Sequence, residues 1–114
     1  MAAMTTVAPT GGTRVRIDEP LDRRAAPDIR QVLLTAVVTG DGPIVLDLTG
    51  SSVLDSTGFA LLVSAHVRAA HRGRPLRITG ADERTRRLLH RAGLRRLIAD
   101  APGRPLPMLT SATA

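Results

Sequence analysis

The sequence predicts an α/β domain, a mixed sheet of four or five strands with helices packed mainly on one face. Three observations lead there. Short apolar or alternating segments take turns with segments whose apolar residues recur at helical spacing, the order expected of a sheet with parallel pairs. A chain of 114 residues has room for one compact domain and not for two. Apolar residues make up 43% of it and aromatic residues only 1%, so the core must be built from Leu, Val, Ile and Ala.

The elements follow in order. Residues 5–8 form a weak first strand, and Thr10-Gly11-Gly12-Thr13 is a turn. In 14–18, Val15 and Ile17 alternate with Arg14 and Arg16, the period of a half-buried strand. Pro27 opens a helix, where its missing N–H costs nothing, and Asp28 complements the positive end of the helix dipole. Ile29, Val32, Leu33, Ala36 and Val37 then make one apolar face. Gly40-Asp41-Gly42-Pro43 ends that helix. Residues 44–48 read as a largely buried strand, 57–71 as a second helix stopped by Gly73, and 75–79 as another strand. Asp82 caps a third helix to about residue 91, with Gly93 just past its end. Residues 94–98 are a final strand or a helical turn. By this reading 1–13 is a flexible N-terminus or weak strand, 14–100 the domain, and 101–114 a loose tail rich in Pro, Ser, Thr and Ala.

Composition narrows the function. The absence of Cys excludes disulfides, thiolate metal sites and Cys nucleophiles. No apolar run is long enough to span a membrane, and residues 1–10 lack the basic segment of a signal peptide; a cytoplasmic protein is expected. The net charge is +6 and every basic residue is Arg, which bears on solubility and encounter more than on fold.

The informative spot is Asp55-Ser56-Thr57-Gly58, which follows a strand and opens a helix. The first N–H groups of a helix have no internal partner and its dipole favours anions there. With Ser56 as N-cap, its hydroxyl sits near the surface at a helix mouth, and Gly58 lets another chain's backbone come close. Phosphorylation would place a charge of about −1.5 to −2 beside Asp55. A capped strand-to-helix loop with no further role has the same residues.

The longer segment IVLDLTGSSVLDSTGFALL, residues 44–62, resembles the central segment of STAS-domain anti-sigma factor antagonists. That family has a buried strand ending in Asp-Leu, a short loop, two apolar residues, Asp-Ser-Ser/Thr-Gly and an apolar helix. Leu21-Asp22, Arg74–Thr79 and the segment Arg87-Leu88-Leu89-His90-Arg91-Ala92-Gly93-Leu94 resemble further family segments in the same order. The resemblance implies a STAS-like fold and a partner-switching role. The unmodified antagonist binds an anti-sigma factor serine kinase and frees a sigma factor; phosphorylation of Ser56 switches binding off, and a phosphatase would restore it. By position, Asp55, Ser56, Thr57, Gly58 and Phe59 form the docking loop, and Asp22 falls at the same end of the sheet. Phe59 stands where the family has Leu, and Glu19-Pro20 where it has Gly-Glu. No catalytic residue, metal or cofactor is implied, and no membrane partner.

Two alternatives remain. One is a non-phosphorylated STAS adaptor or structural module. The other, less favoured, is an Arg-rich nucleic-acid-binding protein, because Arg84, Arg86, Arg87, Arg91, Arg95 and Arg96 surround an Ala-Gly-Leu turn that loosely resembles a helix-turn-helix. Against it, Leu88, Leu89, Leu94 and Leu97 read as a core-facing stripe. His66 falls on the apolar face of the second helix and reads as a packed neutral residue; His71 and His90 read as exposed. A Ser-His-Asp triad is not supported, since no Gly-x-Ser-x-Gly elbow is present.

Overall fold

The computed structural model describes residues 3–7 and 12–99. The tail expected at 101–114 and the turn at residues 10 and 11 lie outside the described residues. Strands β1 (Ala3–Val7), β2 (Thr13–Ile17), β3 (Ile44–Asp47) and β4 (Leu76–Thr79) alternate with helices α1 (Ala26–Val38), α2 (Ser56–His71) and α3 (Glu83–Arg91) from β2 onward. The parallel unit β2–β3–β4 is the centre of the sheet, and β1 pairs antiparallel with β2. Each bound lies within two residues of the sequence reading. The last segment is a 3₁₀ turn, Arg95–Leu97, followed by a single parallel bridge from Ile98 to Ile78, not a fifth strand. Arg95, Arg96 and Leu97 are wound into that turn, so the described part of this segment reaches the β4 edge through one backbone bond, Ala99 N–H to the Ile78 carbonyl at 2.9 Å.

Register explains which face is buried. Thr13, Ile44 and Leu76 stand in one cross-strand row and Val15, Leu46 and Ile78 in another. All six are buried, and residues two apart on a strand share a face. The intervening row, Arg14–Val45–Arg77, points the other way and stays partly or fully exposed. α1 lays Ile29, Leu33, Ala36 and Val37 on the buried face, and α2 contributes Leu61, Leu62, Ala65 and Ala69. Each fully buried Leu or Ile contributes roughly 1.5–3 kcal/mol of hydrophobic stabilisation. Leu89 and Leu97 are buried too, with Leu88 and Leu94 packed beside them, so the leucines around the Ala-Gly-Leu turn are core.

One buried cation organises the end of the sheet at the strand N-termini. Arg74 is 4% exposed. Its guanidinium donates to the carbonyls of Ala36, Val37, Thr39, Asp41 and Gly42 and to the Thr13 hydroxyl, at 2.8–3.2 Å. Two of these, Ala36 and Val37, lie in the last turn of α1, where carbonyls run short of helical partners and a cation also meets the negative end of the dipole. Burial holds the Arg74 pKa below the usual value, and the neighbouring Asp41 opposes that effect.

Candidate functional site

Helix α2 begins at the carboxyl end of the parallel strands, where the crossing loops of an open α/β sheet gather. Its entry is a web of short bonds. Leu21, just past β2, forms a parallel bridge with Val53. The Leu21 N–H donates to the Ser52 carbonyl at 2.9 Å, and the Leu54 N–H donates to the Leu21 carbonyl at 3.0 Å. Asp55 is the N-cap of α2, which corrects the assignment of that role to Ser56. One Asp55 oxygen accepts the Gly58 N–H at 2.8 Å and the other the Arg23 N–H at 3.0 Å. The carboxylate therefore ties the helix mouth to the segment after β2. These two backbone hydrogen bonds, Gly58 before Arg23, hold its pKa below the usual carboxylate value, so the loop carries a fixed negative charge.

Ser56 is the first residue of α2, not its cap, and is exposed. Among the described residues its hydroxyl has no hydrogen-bond partner. Thr57 is half-buried, and Phe59 is half-buried against the core. Asp22 does lie at this end, but its carboxylate is engaged, accepting the Ala25 N–H at 2.9 Å ahead of α1. Gly58 is buried, and the space around it is filled by the chain itself. A Cβ there would run into the Leu21 carbonyl and lie 3.1 Å from the Asp22 nitrogen. The close approach read for a second chain is thus already taken by the segment after β2.

Two residues outside the sequence-predicted set hold the loop from the other side. Thr85 is fully buried, and its hydroxyl accepts the Val53 N–H at 3.2 Å. Arg84 donates to the carbonyls of Val53 at 2.8 Å and Leu54 at 3.2 Å. Asp82 caps α3 by accepting the Thr85 N–H at 2.8 Å. Burial pushes the Asp82 pKa up, but interactions with Ser52 and Thr85 outweigh it and leave the carboxyl low. No local pattern marks Arg84 or Thr85, because their partners are some thirty residues earlier in the chain. The result is a rigid, ionised helix mouth with Leu54 and Ser56 displayed on it. Leu54 is 46% exposed, one of three large apolar side chains that are exposed among the described residues.

The remaining sequence candidates fall elsewhere. His66 is half-buried, and its Nε2 lies 3.5 Å from the Arg96 guanidinium, so it faces a cation at the surface and is not enclosed in the core. Burial first, and Arg96 second, lower its pKa. His71 and His90 are exposed. Among the described residues no group of three His, Asp or Glu could hold a metal ion, and no helix is long and apolar enough to cross a membrane.

Comparison with known proteins places this geometry in context. The family model described as STAS domain matches residues 3–109. The phosphorylated form of the Bacillus cell fate determinant SpoIIAA superposes with a TM-score of 0.72 at 18% identity, covering 99% of this chain and 100% of that one. An anti-sigma factor antagonist from Mycobacterium paratuberculosis gives 0.71 at 23% identity, covering 96% and 92%. A sulfate transporter family protein from Wolinella succinogenes gives 0.64 at 26% identity, covering 81% and 75%. No curated protein matches the sequence.

Proposed function

The chain belongs to the STAS domain family, and from that premise we propose that it is an anti-sigma factor antagonist switched by phosphorylation of Ser56. The observation that carries this reading is the Ser56 hydroxyl. It is exposed, has no partner among the described residues, and opens a helix whose preceding loop is held by six hydrogen bonds from Leu21, Arg23, Arg84 and Thr85. A kinase needs an accessible nucleophile on a surface that does not have to be reorganised.

In its unmodified form the loop docks on an anti-sigma factor serine kinase, with Leu54 as an apolar contact and Asp55, Thr57, Gly58 and Phe59 setting its shape, and a sigma factor is released. The Ser56 oxygen then attacks the γ-phosphorus of ATP bound by the kinase, the hydroxyl proton passes to a base of the kinase, and ADP leaves. The phosphate brings about −1.5 to −2 charges next to the ionised Asp55. Any partner surface arranged for one negative charge now buries about three, and like-charge repulsion with desolvation opposes docking. A phosphatase that hydrolyses the ester resets the loop. On this reading the chain is a kinase substrate and binding protein of the cytoplasm, not an enzyme, and takes no cofactor.

The test is intact-mass analysis after incubation with candidate anti-sigma kinases and ATP, with Ser56→Ala alongside. One added phosphate, absent in the variant, is the expected result. Ser56→Asp should bind the kinase more weakly than wild type; equal binding by wild type, Ser56→Ala and Ser56→Asp would remove the switch. The likeness to the Wolinella transporter family protein favours a second reading, an unregulated STAS adaptor. Binding to a partner without any phosphate transfer would select it.

A further inference from the structure

The far end of α2 carries a feature unrelated to Ser56. Ten of the sixteen arginines lie between residues 68 and 96, against only Asp82 and Glu83 as carboxylates in that stretch. Only Arg14 and Arg16 are ion-paired among the described residues. Three groups of this excess converge. A cleft of about 350 Å³ between α2, β4 and the 3₁₀ turn is lined by His66, Arg74, Arg77 and Arg96 over Leu76 and Leu97. Each of the three elements supplies a nitrogen-bearing residue, Arg77 from the edge strand β4, where its guanidinium folds back to the Leu76 carbonyl, and among the described residues no carboxylate lines the cleft.

The donors are only lightly engaged. Arg77 donates to the Leu76 carbonyl at 3.3 Å and Arg96 to the Gly93 carbonyl at 3.2 Å, both long contacts on exposed side chains. Arg96 also faces His66 at 3.5 Å, a pair that holds together only while the imidazole is neutral and offers Nε2 as acceptor. Arg74 adds charge, but its guanidinium is committed to the carbonyls after α1. From this convergence of Arg77, Arg96 and His66 on one cleft, we propose that it is a binding site for a phosphate head, carried by a phosphomonoester whose organic body lies on Leu76 and Leu97. A bare phosphate is far smaller than the cleft, and the apolar floor gives an organic body something to cover. Guanidinium groups pair with phosphate oxygens through charge-assisted, often bidentate hydrogen bonds. His66 becomes a third donor when the anion's charge draws a proton onto it.

The site is remote from the switch. His66 follows Ser56 by ten residues of α2, about 15 Å along the axis at about 1.5 Å per residue. Its occupancy can thus be measured whether or not Ser56 is phosphorylated.

The experiment is an NMR titration of the three imidazoles in the full chain. The charged group facing His66 is Arg96 from the 3₁₀ turn; Arg77 and Arg74, from β4 and the segment leading into it, line the same cleft. Sulfate, which keeps its charge across the range, should move the His66 inflection upward relative to chloride at matched ionic strength. His71 and His90, outside the cleft, serve as internal references. At pH 8, inorganic phosphate and phenyl phosphate are then titrated separately. Tighter binding of phenyl phosphate supports the phosphomonoester; equal binding keeps the head site but overturns the role of the apolar floor. Arg77→Gln and Arg96→Gln should each weaken binding about tenfold, the size of a charge-assisted hydrogen bond. Arg96→Gln should also raise the His66 inflection without any anion, since it removes a like charge. A His66 response no larger than those of His71 and His90, or variants that bind like wild type, would overturn the site.

Discussion

Replacing Gly58 by Ala tests the central claim about the helix mouth, because the sign of the effect separates two explanations. Gly58 lies in the first turn of α2 with an ordinary helical backbone; it is not among the glycines with positive φ. In a helix that touched nothing there, Gly→Ala would stabilise by about 1 kcal/mol, since Ala loses less backbone entropy. Here the added methyl would overlap the Leu21 carbonyl, a backbone atom that cannot rotate away. Relief requires α2 and the segment after β2 to separate. Such overpacking costs about 1–3 kcal/mol. It also strains the bonds from the Leu21 N–H to the Ser52 carbonyl and from the Leu54 N–H to the Leu21 carbonyl, each with a net value of about 1 kcal/mol, and the Arg23 N–H bond to the Asp55 carboxylate. A destabilisation of about 2–4 kcal/mol follows, which at about 4–8 °C per kcal/mol lowers Tm by about 8 °C or more. Thermal and urea unfolding of Gly58→Ala measure this, with Ala60→Gly on the exposed side of α2 as a calibration near 1 kcal/mol. A Gly58→Ala protein as stable as wild type, or more so, would refute the reasoning and return Gly58 to a role in docking a second chain.

Three further predictions concern the supports of the fold. Arg74→Met should cost about 3 kcal/mol in urea unfolding, because the Val37, Asp41 and Gly42 carbonyls all lose their guanidinium donor. Thr85→Val keeps the shape but removes the acceptor for the Val53 N–H; a loss of about 1–2 kcal/mol and faster amide exchange at Val53 are expected. The Asp55 pKa is depressed below the ordinary 3.8. Its contribution is therefore present above that value and is lost as pH falls through the lower folded value. Amide protection of Gly58 and Arg23 should drop in acid below about pH 4, and Asp55→Ala should lack it at neutral pH.

Much of the architecture was legible because it is written in local periodicity. The alternation in 14–18, the apolar stripe from Ile29 to Val37 and the turn glycines act over a few residues, and each reappears within two positions. The loop proposed for docking was legible for a similar reason. Asp55, Ser56, Thr57 and Gly58 are consecutive, and strand followed by cap followed by helix is a local pattern. Their individual roles were less legible. Whether Asp55 or Ser56 caps the helix depends on which side chain the backbone turns toward the free N–H groups, and the bond to Arg23 draws Asp55 inward. Arg84, named in the sequence only among the arginines around the Ala-Gly-Leu turn, is bonded to the loop it supports.

The sequence by itself determined the α/β class, the strand-to-helix loop and the make-up of an aliphatic core, since these follow from residue type and near-neighbour spacing. Tertiary structure alone decided what lies against Gly58, why an arginine is buried, and which cations share a cleft. Those facts depend on contacts between residues thirty or more apart. Close packing converts such contacts into fixed geometry only after the strands have chosen their register and the helices have covered one face.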